Sequence, residues 1–379
     1  MKKDTLCIHA ADIEHNPTRA ISMPIYQSAT FVHPGVGQTA GYDYSRLQNP
    51  TREHLEKTVA HLEHGLDALA FSTGMAALTM LMEIFTPGDH IIASNDLYGG
   101  SHRLFDHIST KNGLSFSSID TSDLAQIEQN IKANTKAIYI ETPTNPMMQV
   151  TDIKAVCEIA KTHKLLVIVD NTFLTPYFQQ PLSLGADVVL HSGTKYLGGH
   201  NDTLAGFLVV NDAELSAKLR FIYKTVGSCL APFDSWLLLR GIKTLAIRME
   251  KQQENAMKIA TWLKKQPKIK KVYYVGLPEH PAYEISTRQT SGYGGMISFT
   301  VDQEKTACQI LEHIKIIQFA ESLGGVETLM TYPMMQTHAD LPQAEREAKG
   351  INECLLRLSV GIENADDLIA DLEVAFISF

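Results

Sequence analysis

Residues 1–50 follow neither a helical nor a strand period, and turn formers are frequent among them. Such a stretch predicts an extended arm that packs on something else. Pro50 closes the arm, and Thr51 is expected to cap a helix that runs on to Leu62. From Asp67 onward, short apolar runs alternate with helical periods. The runs at 67–71, 90–93, 114–119, 137–141, 165–170, 188–190 and 205–210 predict strands. Helical patterns at 75–85, 101–109 and 153–162 lie between several of them. Val/Ile/Leu-rich strands separated by helices predict a mainly parallel sheet covered on both faces. From Pro232 to Met249 the alternation yields to a helical segment, which leads into an amphipathic helix over 250–266. Strands at 271–274, 295–301 and 316–320, with helices at 304–313 and 365–378, predict a smaller α+β unit. The expected division is an arm over 1–50, a large α/β domain over 51–246 and a C-terminal domain over 247–379.

Composition narrows the function classes. A chain of 379 residues with 44% hydrophobic content can fill one large core or two ordinary ones. Its 33 basic and 42 acidic side chains leave a net charge of −9 with no basic block, which argues against a nucleic-acid partner. The five cysteines (Cys7, Cys157, Cys229, Cys308, Cys354) form no C-x-x-C pair, so neither a disulfide framework nor a zinc knuckle is suggested. The start Met1-Lys2-Lys3-Asp4 lacks a signal-peptide run and no stretch reaches spanning length, so a cytoplasmic protein with no membrane partner is expected. His54, His61 and His64 do not form H-E-x-x-H, and a zinc-hydrolase reading fails on that spacing. They read instead as the polar face of the first helix.

In parallel α/β sheets, ligands gather beyond the carboxyl ends of the strands. The residues after each predicted strand therefore carry the chemistry. Ser72-Thr73-Gly74-Met75 opens a helix, whose free N–H groups and positive dipole end suit a phosphate. Asp96-Leu97-Tyr98-Gly99-Gly100 offers an aromatic ring beside flexible glycines. Glu141-Thr142-Pro143-Thr144-Asn145-Pro146 offers an amide in a rigid turn. Asp170 ends the apolar run L-L-V-I-V, where a carboxylate needs a cationic partner. After the run 188–190, a polar turn of His191, Ser192, Gly193 and Thr194 presents Lys195, with glycines beyond it. A lysine held in a cleft can lose its proton and attack a carbonyl. Each part has an ordinary alternative: a solvated lysine, a helix cap at Asp170 or Thr73, a tyrosine filling a gap. Together, and in this order, they are what pyridoxal 5′-phosphate requires. The cradle takes the phosphate, the ring stacks, the carboxylate keeps the pyridine nitrogen protonated and the amine binds the aldehyde.

The blocks V-D-N-T-F (169–173) and H-S-G-T-K-Y-L-G-G-H (191–200) resemble the Cys/Met-metabolism family of pyridoxal-phosphate enzymes. The likeness extends from P-I-Y-Q-S-A-T-F (24–31) to R-L-S-V-G-I-E (357–363), nearly the whole chain. It implies the aspartate-aminotransferase-like fold type I, with small amino acids as substrates. By resemblance, Lys195 would be the Schiff-base lysine and proton shuttle, Asp170 the partner of the pyridinium nitrogen, and Tyr98 the stacking ring. Gly74, Met75, Ser192 and Thr194 would bind the phosphate. Tyr44 and Arg46 would reach the phosphate of a neighbouring subunit, which implies a homo-oligomer, usually a tetramer of dimers that share active sites. Arg357, with Ser322 and Asn145, would clamp the substrate α-carboxylate, since a planar fork meets a carboxylate bidentately. Arg103 and Thr337 would complete the lining.

The family spans cystathionine γ-synthases, γ-lyases and β-lyases, methionine γ-lyases and O-acetylhomoserine sulfhydrylases. Glu321, in F-A-E-S-L-G-G-V-E, resembles the γ-synthase and γ-lyase form, in which a carboxylate holds the distal ammonium of cystathionine or of cysteine. Its plain alternative is a solvated glutamate at a strand end. G-H-N-D (199–202), A-P-F-D-S-W (231–236) and T-Y-P-M-M-Q-T-H (331–338) look like bacterial γ-synthases that use an O-acylated homoserine. The expected activity is therefore γ-replacement giving cystathionine, with γ-elimination of cystathionine as the alternative, then β-lyase or sulfhydrylase chemistry. A cofactor-binding protein without turnover is disfavoured by the presence together of Lys195, Asp170, Tyr98 and Arg357.

Overall fold

The computed structural model describes residues 1–11, 18–339 and 342–377. Among them, a seven-stranded sheet is built from β1 (Asp67–Phe71), β2 (His90–Ser94), β3 (Ser115–Ile119), β4 (Thr135–Glu141), β5 (Leu166–Asp170), β6 (Val188–Ser192) and β7 (Gly206–Val210). Its order is β1-β7-β6-β5-β4-β2-β3. The neighbours β6, β5, β4, β2 and β3 pair in parallel. Strand β7 runs antiparallel to both β1 and β6. Its reversal follows from the connection: residues 193–205 contain no crossover helix, so the chain re-enters the sheet at the end where it left.

A second sheet contains β8 (Ile269–Tyr273), β9 (Met296–Val301), β10 (Gln318–Phe319), β11 (Leu329–Thr331) and β12 (Leu355–Ser359), in the order β10-β11-β12-β9-β8. Two core clusters lie side by side on one face of the large sheet, a third lies on its other face, and a fourth packs between the second sheet and its helices. Ile92, Ile138, Ile140, Val167 and Val169 face one side of the large sheet, whereas Ile91, Ala137, Tyr139 and Ile168 face the other. That alternation gives the strands two buried faces, and hence their nearly continuous apolar sequence.

Several element boundaries differ from the sequence expectation, each for a local reason. Asn49, not Thr51, caps the first long helix, Pro50–Leu62, by accepting from the N–H groups of Thr51 and Arg52. The Thr51 hydroxyl is engaged elsewhere, donating to the Pro24 carbonyl and accepting from the Tyr26 N–H. The arm is not wholly extended, because Lys3–His9 forms a short helix with Cys7 buried. The helix expected from Ser101 begins at Gly99, and its wider π-helical turns span Leu104–Ser109. The helical segment after Pro232 breaks at Lys243-Thr244 into Pro232–Ile242 and Leu245–Leu263. Buried Arg248 stabilises the break by donating to the carbonyls of Gly241 and Tyr196. The closing helix is described to Ile377, so Ser378 lies outside the described residues.

Candidate active site

A cleft with a cavity volume of about 310 Å³ opens where the carboxyl ends of the large sheet meet the second sheet. Lys195 enters it from the turn after β6. Its ammonium donates to the Ser322 hydroxyl at 2.9 Å. Burial, with the nearby Arg357 charge, lowers its pKa to about 8 while Glu321 pulls the other way. Ser322 has a φ of +96°, a left-handed conformation unusual for serine. That conformation lets one residue serve two neighbours, because its carbonyl also accepts from Arg357.

Arg357, fully buried on β12, donates to Asn145 Oδ1 at 2.8 Å, to the Ser322 carbonyl at 2.9 Å and to Thr331 Oγ1 at 2.9 Å. Among the described residues its buried Nε finds no acceptor. A buried guanidinium with a free N–H at a cleft is a site for a carboxylate. Burial lowers the Arg357 pKa to about 10, which leaves it charged at neutral pH.

Asp170 lines the cleft from the end of β5. It accepts from the N–H and the hydroxyl of Thr172, and the same hydroxyl accepts from the Ser192 N–H. Burial raises its pKa, an effect reduced by the Thr172 hydrogen bonds and by the His191 charge. A half-buried carboxylate on the cleft wall is a receptor for a cationic ring nitrogen.

The helix Gly74–Met82 points its N-terminus at the same cleft. Thr73 caps it by accepting from Ala76 N–H, so the helix supplies no acceptor for the N–H groups of Gly74 and Met75. Gly74 lies against Ser192, where a Cβ would stand 3.1 Å from the serine Cβ. Backbone rather than side chain therefore lines this corner, together with Ser192 and Thr194, as an anion cradle requires. The Tyr98 ring, 41% exposed, flanks the opening. These parts fit pyridoxal 5′-phosphate: amide cradle, ring surface, half-buried carboxylate and an amine of lowered pKa.

Of the residues predicted from sequence, Lys195, Asp170, Tyr98, Gly74, Met75, Ser192, Thr194, Asn145, Glu321, Ser322, Thr337 and Arg357 all line this cleft. Three lie outside its lining. The Arg103 guanidinium lies near Gly99, about where the Thr337 carbonyl also approaches. Tyr44 and Arg46 form a separate pair, the guanidinium 5.5 Å from the ring centroid, with Arg46 donating to the Lys224 carbonyl. Sequence reasoning passed over Thr172, Thr331 and Tyr139. Thr172, two residues after Asp170, carried a signal, since hydroxyls at that offset commonly bond an aspartate side chain in a turn. Thr331 and Tyr139 carried none, being distinguished only by what faces them across the sheets.

Fold and site together define a pyridoxal-phosphate enzyme of fold type I. The chain belongs to the Cys/Met metabolism PLP-dependent enzyme family, whose model matches residues 4–377. It is 48% identical over 371 residues to the cystathionine beta-lyase of Lactococcus lactis subsp. cremoris (strain MG1363), covering 98% of each chain. It is also 48% identical over 375 residues to the cystathionine gamma-synthase of Haemophilus influenzae, covering 98% of this chain and 97% of the relative. The solved structure of cystathionine gamma-lyase from Lactobacillus plantarum complexed with L-serine superposes with a TM-score of 0.97 at 46% identity, covering 100% of this chain and 99% of that one. Pyridoxal 5′-phosphate is the cofactor, and the protein is a trans-sulfuration enzyme acting on small amino acids. Among the described residues, no helix is long and apolar enough to cross a membrane.

Proposed function

We propose that this chain catalyses γ-replacement, joining cysteine to an O-acylated homoserine to form cystathionine. The observation that carries this reading is Glu321. Its carboxylate lines the same cleft as Lys195 and Arg357 and favours the charged form of both. A second anion opposite an α-carboxylate clamp suits a substrate with a distal ammonium, which cystathionine and incoming cysteine both have. The motif likenesses at 199–202, 231–236 and 331–338 favour synthesis over cleavage.

In this reading, Arg357 binds the α-carboxylate through its free Nε, held in place by Asn145, Ser322 and Thr331. The bound cofactor supplies an electron sink that makes the α-proton acidic. Lys195 Nζ removes that proton, and Ser322 Oγ keeps the amine over the reacting carbons while protons move between Cα and Cβ. Asp170 would present its carboxylate to the ring nitrogen, and Tyr98 would supply a surface for the ring to stack on. The N–H groups of Gly74 and Met75, with Ser192 and Thr194, take the phosphate. Thr337 would border the substrate side, where the resemblance also expects Arg103, although the Arg103 side chain lies outside the lining of this cleft.

Tyr44 and Arg46 would complete the phosphate site of a neighbouring subunit, so the working unit is at least a dimer, and a tetramer of such dimers fits the arm's exposed apolar residues Ile21, Val32 and Val36. The large domain would end near residue 246, and the location would be the cytoplasm.

The test is a product assay with O-acetyl-, O-succinyl- and O-phosphohomoserine plus cysteine, beside cystathionine alone. Cystathionine formed from an acylated homoserine, faster than cystathionine is consumed, is the expected result. Release of 2-oxobutanoate with cysteine from cystathionine as the faster reaction would make the protein a γ-lyase; pyruvate with homocysteine would make it a β-lyase. Glu321→Gln is expected to raise KM for cysteine about tenfold, the loss of one charge-assisted contact, with little change for the acylated homoserine. An unchanged ratio would remove Glu321 from recognition.

A further inference from the structure

Three acidic side chains stand at neighbouring strand ends: Asp96 after β2, Glu141 at the end of β4 and Asp170 at the end of β5. Asp170 faces the cofactor site, but the catalytic reading leaves the other two unused. Glu141 and Asp170 are register partners on adjacent parallel strands, so their side chains leave the same face of the sheet. Glu141 is buried and lines the cleft. Burial first, and the Asp170 charge second, raise its pKa well above the usual carboxylate range.

A second buried acid beside Asp170 costs stability unless it makes compensating hydrogen bonds. Both of its oxygens make them, and to two different loops. Oε2 accepts the Tyr98 N–H at 3.0 Å, and Oε1 accepts the Asn145 N–H at 3.0 Å. Asp96, itself on the Tyr98 loop, adds a second tie to the same turn by accepting from the Thr144 hydroxyl and from the Met147 N–H at 3.2 Å. The loop that carries the stacking ring and the turn that carries the Arg357 partner are therefore tied together through carboxylates.

We propose that Glu141 is a positioning residue that locks the Tyr98 loop to the Asn145 turn, so that one side chain sets both cofactor stacking and substrate-carboxylate recognition. The inference rests on the roles given above to Tyr98 and Asn145. Its specific consequence is coupling. A carboxylate that engages Arg357 and Asn145 orders the turn, and through Glu141 it orders the Tyr98 loop, so it tightens cofactor binding; linkage makes the effect reciprocal.

The experiment titrates apo-protein with pyridoxal 5′-phosphate, with and without saturating butyrate, a carboxylate that has no amine to react. Butyrate is expected to tighten cofactor binding several-fold in the native chain. In Glu141→Gln, one oxygen becomes an NH2 group that cannot accept an N–H. Cofactor and butyrate affinities should each fall about tenfold, and butyrate should no longer affect the cofactor. A melting temperature of apo E141Q near that of the native apo-protein would separate this from general unfolding.

Absence of coupling in the native chain overturns the proposal, whether or not E141Q folds, and so does coupling that survives in E141Q. Asn145→Ala separates the two layers of argument. If it leaves butyrate affinity unchanged, the carboxylate clamp is misassigned and both readings fall. If it weakens butyrate while coupling is absent, only the role of Glu141 falls.

Discussion

Lys195 shows how a reactive group is set against the stability of the fold that holds it. Burial lowers its pKa to about 8, so in the apo-protein the ammonium carries a desolvation penalty at every pH below that value. Between about 8 and 10.5 the unfolded chain binds more protons at this position than the folded one, so stability should rise with pH across that window. The shift is worth about 3 kcal/mol. Lys195→Met is therefore expected to abolish turnover yet raise the melting temperature of the apo-protein at pH 7, with the gain shrinking as pH approaches 10.5. Thermal melts at three pH values read this directly. A variant no more stable than the native chain at pH 7 would mean that the amine is not penalised by burial. Lys195 itself was visible in the sequence as the lysine of a glycine-bounded turn. Ser322, which holds its amine, reads from the sequence only as part of the carboxylate clamp, because a φ of +96° cannot be read from residue identity.

At the scale of elements, the phosphate corner depends on how closely β7 approaches the start of the helix Gly74–Met82. A Cβ on Gly206 would stand 2.1 Å from the Thr73 carbonyl oxygen and 2.7 Å from the Gly74 nitrogen. Backbone on both sides leaves no flexible group to yield. Gly206→Ala should push β7 and the helix N-terminus apart, costing about 1–3 kcal/mol and loosening the amide cradle. Gly74→Ala meets Ser192 first, at 3.1–3.3 Å, and should cost less. Melting temperature and cofactor retention on dialysis measure both effects; equal tolerance of the two substitutions would show that this contact does not shape the cradle. The alternation of apolar strands with helices was enough to predict the parallel part of this sheet. The antiparallel course of β7, which brings Gly206 to the helix, depends instead on the path of residues 193–205. Periodicity does not encode that path.

Over the whole molecule, the question is whether one chain makes a complete site. Tyr44 and Arg46 lie outside the cleft of their own chain. If they serve a neighbour, a Lys195→Ala chain and an Arg46→Ala chain carry lesions in different halves of one site. Mixing the two after dissociation and reassociation should restore about a quarter of native activity, since half the dimers are mixed and each mixed dimer has one intact site. No recovery, in a mixture shown to exchange subunits, would place Arg46 outside the neighbouring site.

The sequence by itself determined the order of the chemistry: a helix start at Gly74, a ring at Tyr98, a carboxylate at Asp170 and an amine at Lys195, each directly after an apolar run. It could do so because these features are local, one strand and the few residues that follow it. Only the tertiary structure decided what each of these groups faces. The second sheet brings Arg357, Thr331 and Ser322 across to Lys195, more than a hundred residues away in sequence. The register of β4 against β5 sets Glu141 beside Asp170 and beneath two loops. Glu141 stands at a strand end in the sequence, where only the amide of Asn145 four residues on suggests a role. A carboxylate whose partners are backbone N–H groups of other loops leaves no trace in the residue pattern, because every residue except proline carries that donor.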